Sequence, residues 1–140
     1  RGVVLLADYG YPRREYYHPD RNDGTLVCHY RHRAHFDPFV WPGLTDISAF
    51  VDFTALAEGG QSAGLDVAGF THQAGFVLGS GVADCLEEVS DERERMRLSG
   101  ELKRLVMPGE MGEKFKLLAL ARDLDCAFDA FAFSDQLGRL

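Results

Sequence analysis

The sequence has 140 residues, 46% hydrophobic and 26% charged, which is the composition of one soluble globular domain. Its 15 Lys and Arg against 22 Asp and Glu give a net charge of −7, which argues against a general nucleic-acid binder. No apolar run approaches the ~20 residues of a membrane span, and three well-separated cysteines (Cys28, Cys85 and Cys126) outside any CxxC pattern favour a reducing cytoplasm over a disulfide framework.

The first predicted element is a strand over residues 3–8. Val3 to Ala7 are five apolar, mostly branched residues in a row, a pattern typical of a strand buried on both faces of a parallel α/β sheet. Because such strands seldom begin a small domain, we expect residues 1–140 to be the carboxyl-terminal portion of a longer one. A natural edge strand is the alternative.

A long connection is predicted between this strand and the next clear element. Residues 24–30 favour a short strand within it. Residues 13–23 predict a loop, with a short helical turn as an alternative, and residues 31–45 are rich in turn formers and predict irregular structure. Long loops in compact domains are usually functional or disordered. The many aromatic side chains in this one favour order.

The second half of the sequence alternates helices with strands. Asp52 predicts the N-cap of a helix that Gly64 ends. Beyond it we predict strands over residues 65–70 and 115–121, short helices over 73–78 and 82–89, a charged helix from Ser90 to about Val106, and a breaker loop over 107–112. This order of elements predicts an α/β fold, in which three strands alone would make a thin sheet.

Two aspartates and a glutamine are candidate site residues. Asp8 ends the first strand, and ligands of open α/β sheets bind beyond the carboxyl ends of the strands. An aspartate that caps its own turn is the alternative, with equal weight. Asp46 precedes an extended run and Gln73 follows the second strand, so that both could face the same crevice.

The segment from Cys28 to His35 contains three histidines beside a cysteine, a composition compatible with zinc. However, residues three apart face opposite sides of a strand, two arginines are interleaved, and a matching Cys or His pair is lacking elsewhere. We therefore predict no metal site and expect the histidines to hydrogen-bond and stack in a pocket wall. No GxSxG, P-loop, HExxH or GxGxxG motif supports a hydrolase, a kinase or a zincin.

An ordered series of motifs covers nearly the whole chain. The motifs are Asp8-Tyr9-Gly10-Tyr11, Glu15-Tyr16-Tyr17, Arg21, Gly24-Thr25-Leu26, His29-Tyr30-Arg31-His32-Arg33, Asp37-Pro38-Phe39, Pro42-Gly43-Leu44, Asp46-Ile47, Val51-Asp52-Phe53-Thr54, Gly64-Leu65, Gly69-Phe70-Thr71, Gln73-Ala74 and Met111-Gly112-Glu113-Lys114-Phe115-Lys116. Together they resemble the carboxyl-terminal part of the MidA-type SAM-dependent methyltransferases, a family widespread in bacteria. Ser48 and Phe50 depart from the family pattern, in which Thr and His are common at these positions.

The resemblance implies an α/β fold, the carboxyl-terminal part of a Rossmann-like class I methyltransferase sheet with a long inserted loop region. The chain would supply the last three strands, with residues 115–121 between 3–8 and 65–70 and antiparallel to both. The cofactor would be S-adenosylmethionine (SAM), bound mainly by a glycine-rich loop and an acidic residue in an amino-terminal half that this chain lacks. Which residues of this chain contact SAM is unknown.

The resemblance also implies methyl transfer to a protein nitrogen, since mitochondrial members of the family are arginine methyltransferases that assist the assembly of respiratory complex I. A guanidinium has a pKa above ~12, so carboxylates must hold it and help it to lose a proton late in the reaction. The predicted catalytic residues are Asp8 and Asp46. The predicted substrate-binding residues are Tyr9, His29, Tyr30, His35 and Gln73.

The partners implied are a protein substrate, with a respiratory-complex subunit as one candidate, in the cytoplasm of a bacterium. We expect no nucleic acid and no membrane span, but self-association or pairing with the protein's own amino-terminal part. Two other functional classes stay open. One is a non-catalytic assembly module that docks a partner protein through residues 13–45, and the other is a zinc-binding module.

The upstream location of the cofactor loop predicts that the isolated 140-residue chain shows no measurable SAM binding. A glycine-rich loop gives the backbone its close approach to such a cofactor, and the chain has none. Isothermal titration calorimetry checks this expectation. Micromolar binding by the isolated chain would contradict it.

Overall fold

The computed structural model describes residues 1–124 and 127–140, so that Cys126 lies outside the described residues. The strands are β1 (Gly2–Tyr11), β2 (Leu26–Tyr30), β3 (Arg33–His35), β4 (Asp46–Ala49), β5 (Val51–Asp52), β6 (Asp66–His72) and β7 (Phe115–Arg122). The helices are α1 (Arg13–Tyr16), α2 (Phe53–Ser62), α3 (Gln73–Gly79), α4 (Val82–Glu87), α5 (Glu92–Val106) and α6 (Asp129–Ala132), followed by a 3-10 helix over Leu137–Arg139. Every helix and strand predicted for the second half of the chain is present.

Four strands form one sheet in the order β5-β1-β7-β6. Strand β7 pairs antiparallel with β1 from Gly2 to Tyr9 and antiparallel with β6 on its other side. Strands β1 and β6 therefore do not pair with each other, which confirms the predicted order with residues 115–121 in the middle. The short β5 adds a parallel pairing at Gly10 and Tyr11.

Strand β7 carries hydrophobic core on both of its faces. The cluster on the α2 face contains the buried residues Phe53, Ala57, Phe70, Leu118 and Leu120. The cluster on the α6 face contains the buried residues Leu117, Ala119 and Phe131. Since burial of one large apolar side chain contributes about 1.5–3 kcal/mol, these two clusters fix the sheet between its helices.

The apolar stretch of β1 is half-exposed within residues 1–140, as expected for a strand that a longer protein would cover. Val3, Val4 and Leu5 are 44%, 46% and 50% exposed. They lie at an edge of the described sheet, because β5 pairs only with Gly10 and Tyr11, and their burial on both faces in a longer protein stays a prediction. Along the rest of β1, no described residue pairs with the outer edge.

The long connection forms a second sheet, which corrects the prediction of irregular structure over residues 31–45. Its three strands are antiparallel in the order β3-β2-β4. Strands β2 and β3 form a hairpin whose two turn residues, Arg31 and His32, have φ values of 45° and 64°. Left-handed turns of this kind usually contain Asn or Gly, so the sequence carries no ordinary signal for the hairpin.

The helix ends follow the predicted capping residues. The Asp52 carboxylate accepts a hydrogen bond from the Ala55 N–H at 3.0 Å and caps α2, and Gly64 follows that helix with a φ of 78°. Asp91 caps the charged helix α5 in the same way. Among the described residues, no helix combines the length and the hydropathy that a membrane span requires.

Gly10 lies where β1 and β5 approach each other closely. A Cβ atom at Gly10 would overlap the main-chain oxygen of Val51 and lie 2.7 Å from the Phe53 ring. Gly10→Ala should therefore lower the free energy of unfolding by about 1–3 kcal/mol, because backbone must shift. Chemical denaturation measures the change. Gly2→Ala is the matched control on the same strand, with open space at its Cβ position, and equal losses in both variants would contradict the close approach.

The exposed edge of β1 predicts self-association, because an unpaired apolar strand is a template for another chain. Light scattering of the purified chain should give a mass above the 15.6 kDa of a monomer. The double variant Val3→Lys/Leu5→Lys should restore the monomer, whereas Leu56→Lys, at a position 38% exposed on α2, should not. A monodisperse wild-type monomer at high concentration would show that this edge is covered.

Candidate active site

A row of three polar residues crosses the four-stranded sheet near the carboxyl ends of β1 and β6. Asp8 of β1 and His72 of β6 both pair in register with Lys116 of β7. Residues directly opposite each other in antiparallel strands share a face, so the three side chains lie on one face of the sheet. Ligands of α/β sheets bind at this edge, which makes the row a candidate site.

Asp8 is exposed, and one of its carboxylate oxygens accepts a hydrogen bond from the Tyr9 N–H at 2.7 Å. This bond joins two neighbouring residues inside β1, which continues to Tyr11, so the prediction that Asp8 ends the strand is wrong and Asp8 caps no turn. In the described structure the second oxygen accepts no hydrogen bond. Asp8 can therefore present a carboxylate oxygen to a ligand.

Lys116 lies in the centre of the row and is only 9% exposed. Its ammonium donates a hydrogen bond to the main-chain oxygen of Glu113. Burial lowers the pKa of Lys116, the charge of Glu15 opposes this shift, and that of Arg139 adds to it. Glu15 and Arg139 form an ion pair with each other, so Lys116 lies beside a charge network that joins α1 to the end of the chain.

His72 closes the row, and its side chain caps α3. The imidazole Nδ1 accepts a hydrogen bond from the Gly75 N–H at 2.8 Å. A neutral imidazole that accepts at Nδ1 carries its proton on Nε2, so His72 presents a donor. Sequence reasoning missed both His72 and Lys116, because their pairing with Asp8 depends on registers between strands far apart in sequence.

Gln73 follows β6 as predicted, but its side chain is engaged in the fold. The amide Nε2 donates a hydrogen bond to the main-chain oxygen of Leu105 at 2.9 Å. This bond ties the start of α3 to the end of α5. The structure thus supplies a structural role for Gln73, and its predicted contact with a substrate stays a prediction.

Tyr9 lies on the opposite face of β1 from Asp8, in an aromatic group. Its ring centroid is 4.0 Å from that of Phe115 and 6.4 Å from that of Phe50. The Tyr11 ring also contacts Phe50, at 5.4 Å, and the Arg21 guanidinium lies 3.8 Å from the Tyr11 ring centre. Through these contacts, Arg21 and Phe50 of the long connection pack against the carboxyl end of β1.

Asp46 and His29 lie opposite each other in the three-stranded sheet, and both are exposed. They share one face of that sheet. Tyr30 lies on the other face, since neighbouring residues of a strand alternate, and so does His35, the register partner of Cys28. The predicted site residues are therefore distributed over two sheets, and the predicted catalytic carboxylates, Asp8 and Asp46, belong to different ones.

The alternation of faces along β2 also separates two of the possible zinc ligands, Cys28 and His29. Cys28 is fully buried on one face of β2, and His29 points to the opposite face. Throughout residues 1–124 and 127–140, no cluster of three or more His, Cys, Asp or Glu side chains is arranged to hold a metal ion. Cys28 and Cys85 are both free thiols.

Helix α1 fixes the start of the long connection against α2. The Arg13 guanidinium donates two hydrogen bonds to the Glu58 carboxylate, at 2.6 and 2.7 Å, and lies 3.7 Å from Asp52. These contacts raise the pKa of Arg13, and the Arg13 bond lowers the pKa of Glu58. The Arg13 N–H also donates to the Thr54 hydroxyl at 2.8 Å, so α1 is held by side chain and backbone together.

Residues 1–71 match the model of a family described as "Putative S-adenosyl-L-methionine-dependent methyltransferase". The mitochondrial protein arginine methyltransferase NDUFAF7 of Mus musculus is 30% identical over 123 residues, and that of Bos taurus is 31% identical over 127 residues. Each alignment covers 85% of this chain and 26% of the relative. The chain thus spans only a part of the length of these relatives.

Two crystal structures of proteins of one superfamily from Burkholderia thailandensis match the entire chain. The first has a TM-score of 0.93 at 48% identity, over 100% of this chain and 38% of that one. The second has a TM-score of 0.92 at 48% identity, covers 37% of that chain, and was solved bound to S-adenosyl-homocysteine. These matches confirm the predicted fold class.

The bond between Gln73 and Leu105 predicts a structural effect at the end of α5. Gln73→Leu removes one hydrogen bond and should cost about 1 kcal/mol, loosening the loop over residues 107–112. Limited proteolysis followed by mass spectrometry should show faster cleavage in that loop. Gln61→Leu, at an exposed position of α2, is the matched control and should cleave like the wild type. Unchanged cleavage of Gln73→Leu would mean that this bond does not hold α5.

Proposed function

Because this chain belongs to the family of S-adenosyl-L-methionine-dependent methyltransferases, we propose that it is the carboxyl-terminal part of an enzyme that methylates an arginine of a partner protein. The family uses SAM as its cofactor, and a structural neighbour binds its demethylated product, S-adenosyl-homocysteine. The arginine acceptor follows the names of the mitochondrial relatives, which are protein arginine methyltransferases. A respiratory-complex subunit as the acceptor protein is part of the same proposal.

One observation carries this proposal, namely the exposed Asp8 carboxylate at the carboxyl edge of the sheet. Asp8 has an oxygen that accepts no hydrogen bond from the described residues, and it lies in register with the buried Lys116. A guanidinium keeps its proton at neutral pH and pairs with carboxylates. Asp8 therefore suits the acceptor side of the reaction, whereas the residues that hold the adenosyl group would belong to the amino-terminal half.

The chemistry requires a positioned nitrogen and a place for one proton. SAM supplies an electrophilic methyl group on a sulfonium, and an arginine nitrogen forms the new N–C bond as the S–C bond breaks and its electron pair stays on sulfur. Asp8 would orient the guanidinium in line with that bond and accept the proton that the methylated nitrogen loses. Correct orientation of two reactants is among the largest contributions to such a transfer.

The aromatic residues lie on the other face of the sheet from Asp8 and would support the edge of the site from behind. Tyr9 and Phe115 are in ring contact there, and the Arg21 guanidinium lies over the Tyr11 ring. Asp46, in the second sheet, would serve as a further carboxylate for the peptide that carries the arginine.

The proposal predicts that Asp8→Asn abolishes most methyl transfer while the fold is kept. The amide has the same shape but cannot accept the proton, so the rate should fall by about 100-fold or more. The assay uses the intact protein with radiolabelled SAM and proteins from cells in which its gene is deleted, followed by amino-acid analysis for methylarginine. Asp66→Asn, an exposed substitution at the other end of β6, is the matched control and should keep full activity.

Two results would overturn the proposal at different points. Label on lysine or on small molecules alone would exclude arginine as the acceptor. Unchanged transfer by Asp8→Asn, together with a lower melting temperature, would show that Asp8 has only a structural role.

A further inference from the structure

The β2–β3 hairpin and the loop after it carry apolar side chains that the described residues of this chain do not cover. Phe36 and Phe39 are 77% and 85% exposed, and Trp41 is half-exposed. Together with Arg31 and Arg33 these residues form what we call the hairpin surface. Exposed aromatic groups of this density mark interaction sites in soluble proteins.

The hairpin surface is basic in an acidic protein. Residues 28–41 contain two arginines and one acidic residue, Asp37, whereas the whole chain has a net charge of −7. Arg33 lies in register with Tyr30, and the Arg31 guanidinium lies 5.4 Å from the same ring. Within the part of the chain that the structure describes, neither arginine forms an ion pair, so both are available to carboxylates of a partner.

Beside Trp41 lies a polar group without a partner among the described residues. Both ring nitrogens of His35 are buried and form no hydrogen bond with those residues. The Trp41 ring packs edge-to-face against His35, with 5.8 Å between ring centroids, and lies 4.8 Å from the ring of Tyr30. An unsatisfied buried imidazole costs free energy. A ligand group that hydrogen-bonds to the His35 ring would remove this cost.

Strand β3 offers backbone groups as well as side chains. It is an edge strand with β2 as its one neighbour in the sheet, and no described residue pairs with its outer side. An extended peptide can add to such an edge by main-chain hydrogen bonds, with its side chains in the pockets of alternate positions. A lipid bilayer would leave these groups unsatisfied, which favours a peptide over a membrane as the occupant.

We propose that the hairpin surface binds an extended segment of the protein substrate in which carboxylates alternate with apolar side chains. The carboxylates would pair with Arg31 and Arg33, beside Trp41, and the apolar side chains would pack on Phe36 and Phe39. This inference rests on the proposed function in that it takes the partner to be the methylated protein. The surface would recognise a segment other than the arginine that accepts the methyl group.

The test uses a fluorescein-labelled peptide in which Asp and Glu alternate with Phe and Leu, and which contains no arginine. Its binding to the purified chain is followed by fluorescence anisotropy and by the emission of Trp41, the one tryptophan of the sequence. We expect binding with a blue shift of the Trp41 emission as its ring loses contact with water. Arg31→Glu/Arg33→Glu should weaken binding by about tenfold or more, as for buried charge pairs at interfaces.

Matched controls separate this site from general charge effects. Arg93→Glu/Arg95→Glu changes the net charge equally at exposed positions of α5 and should bind the peptide like the wild type. Phe36→Ser/Phe39→Ser removes only exposed rings and should weaken binding without loss of fold, as circular dichroism would verify. A peptide in which Lys replaces every acidic residue should not bind.

Several outcomes would overturn the inference. These are no binding at millimolar peptide, equal binding by the wild type and Arg31→Glu/Arg33→Glu, or binding of phosphatidylserine vesicles without binding of the peptide. A fall in the mass of the chain in light scattering on Arg31→Glu/Arg33→Glu would assign the surface to a second copy instead. Because the peptide has no arginine and the assay no SAM, failure here is distinct from failure of methyl transfer.

Discussion

The antiparallel position of β7 between β1 and β6 is the constraint on which the rest of this structure depends. Strand β7 pairs on both sides and carries both core clusters, one on each face. Its central place also brings the carboxyl ends of β1 and β6 to the same edge of the sheet, because both run opposite to it. Without this pairing, Asp8 and His72 would have no common site.

The second sheet is held at that edge by contacts of two kinds. Arg13 and its partners Glu58 and Asp52 join α1 to α2, and the ring of Phe50 packs against those of Tyr9 and Tyr11. Exposed ion pairs contribute little to stability. The aromatic contacts and the close packing of β1 on β5 at Gly10 therefore contribute more to holding the second sheet in place. The long connection is thus an ordered part of the site rather than a loose loop.

The sequence predicted those features that depend on neighbouring residues or on resemblance to the family. The caps Asp52 and Gly64 follow from side-chain chemistry, and the central place of residues 115–121 follows from resemblance to the family. The hairpin at Arg31 and His32 lacked its usual turn residues. The burial of Val3 to Leu5 depends on which strands and helices neighbour β1, and residues 1–140 alone do not contain this information. The row of Asp8, Lys116 and His72 depends on strand registers, which the sequence of one chain does not contain.

The geometry suggests two separate binding regions for the substrate protein. The carboxyl edge of the four-stranded sheet would act on the accepting arginine, and the basic, aromatic hairpin surface of the second sheet would hold another part of the same protein.

The proposal that Asp8 binds the accepting guanidinium is tested most directly by a crystal structure of the intact protein with S-adenosyl-homocysteine and an arginine-containing substrate peptide. The account predicts the guanidinium within hydrogen-bond distance of the Asp8 carboxylate, on the face shared with Lys116 and His72. A guanidinium bound elsewhere, with no contact to Asp8, would contradict it.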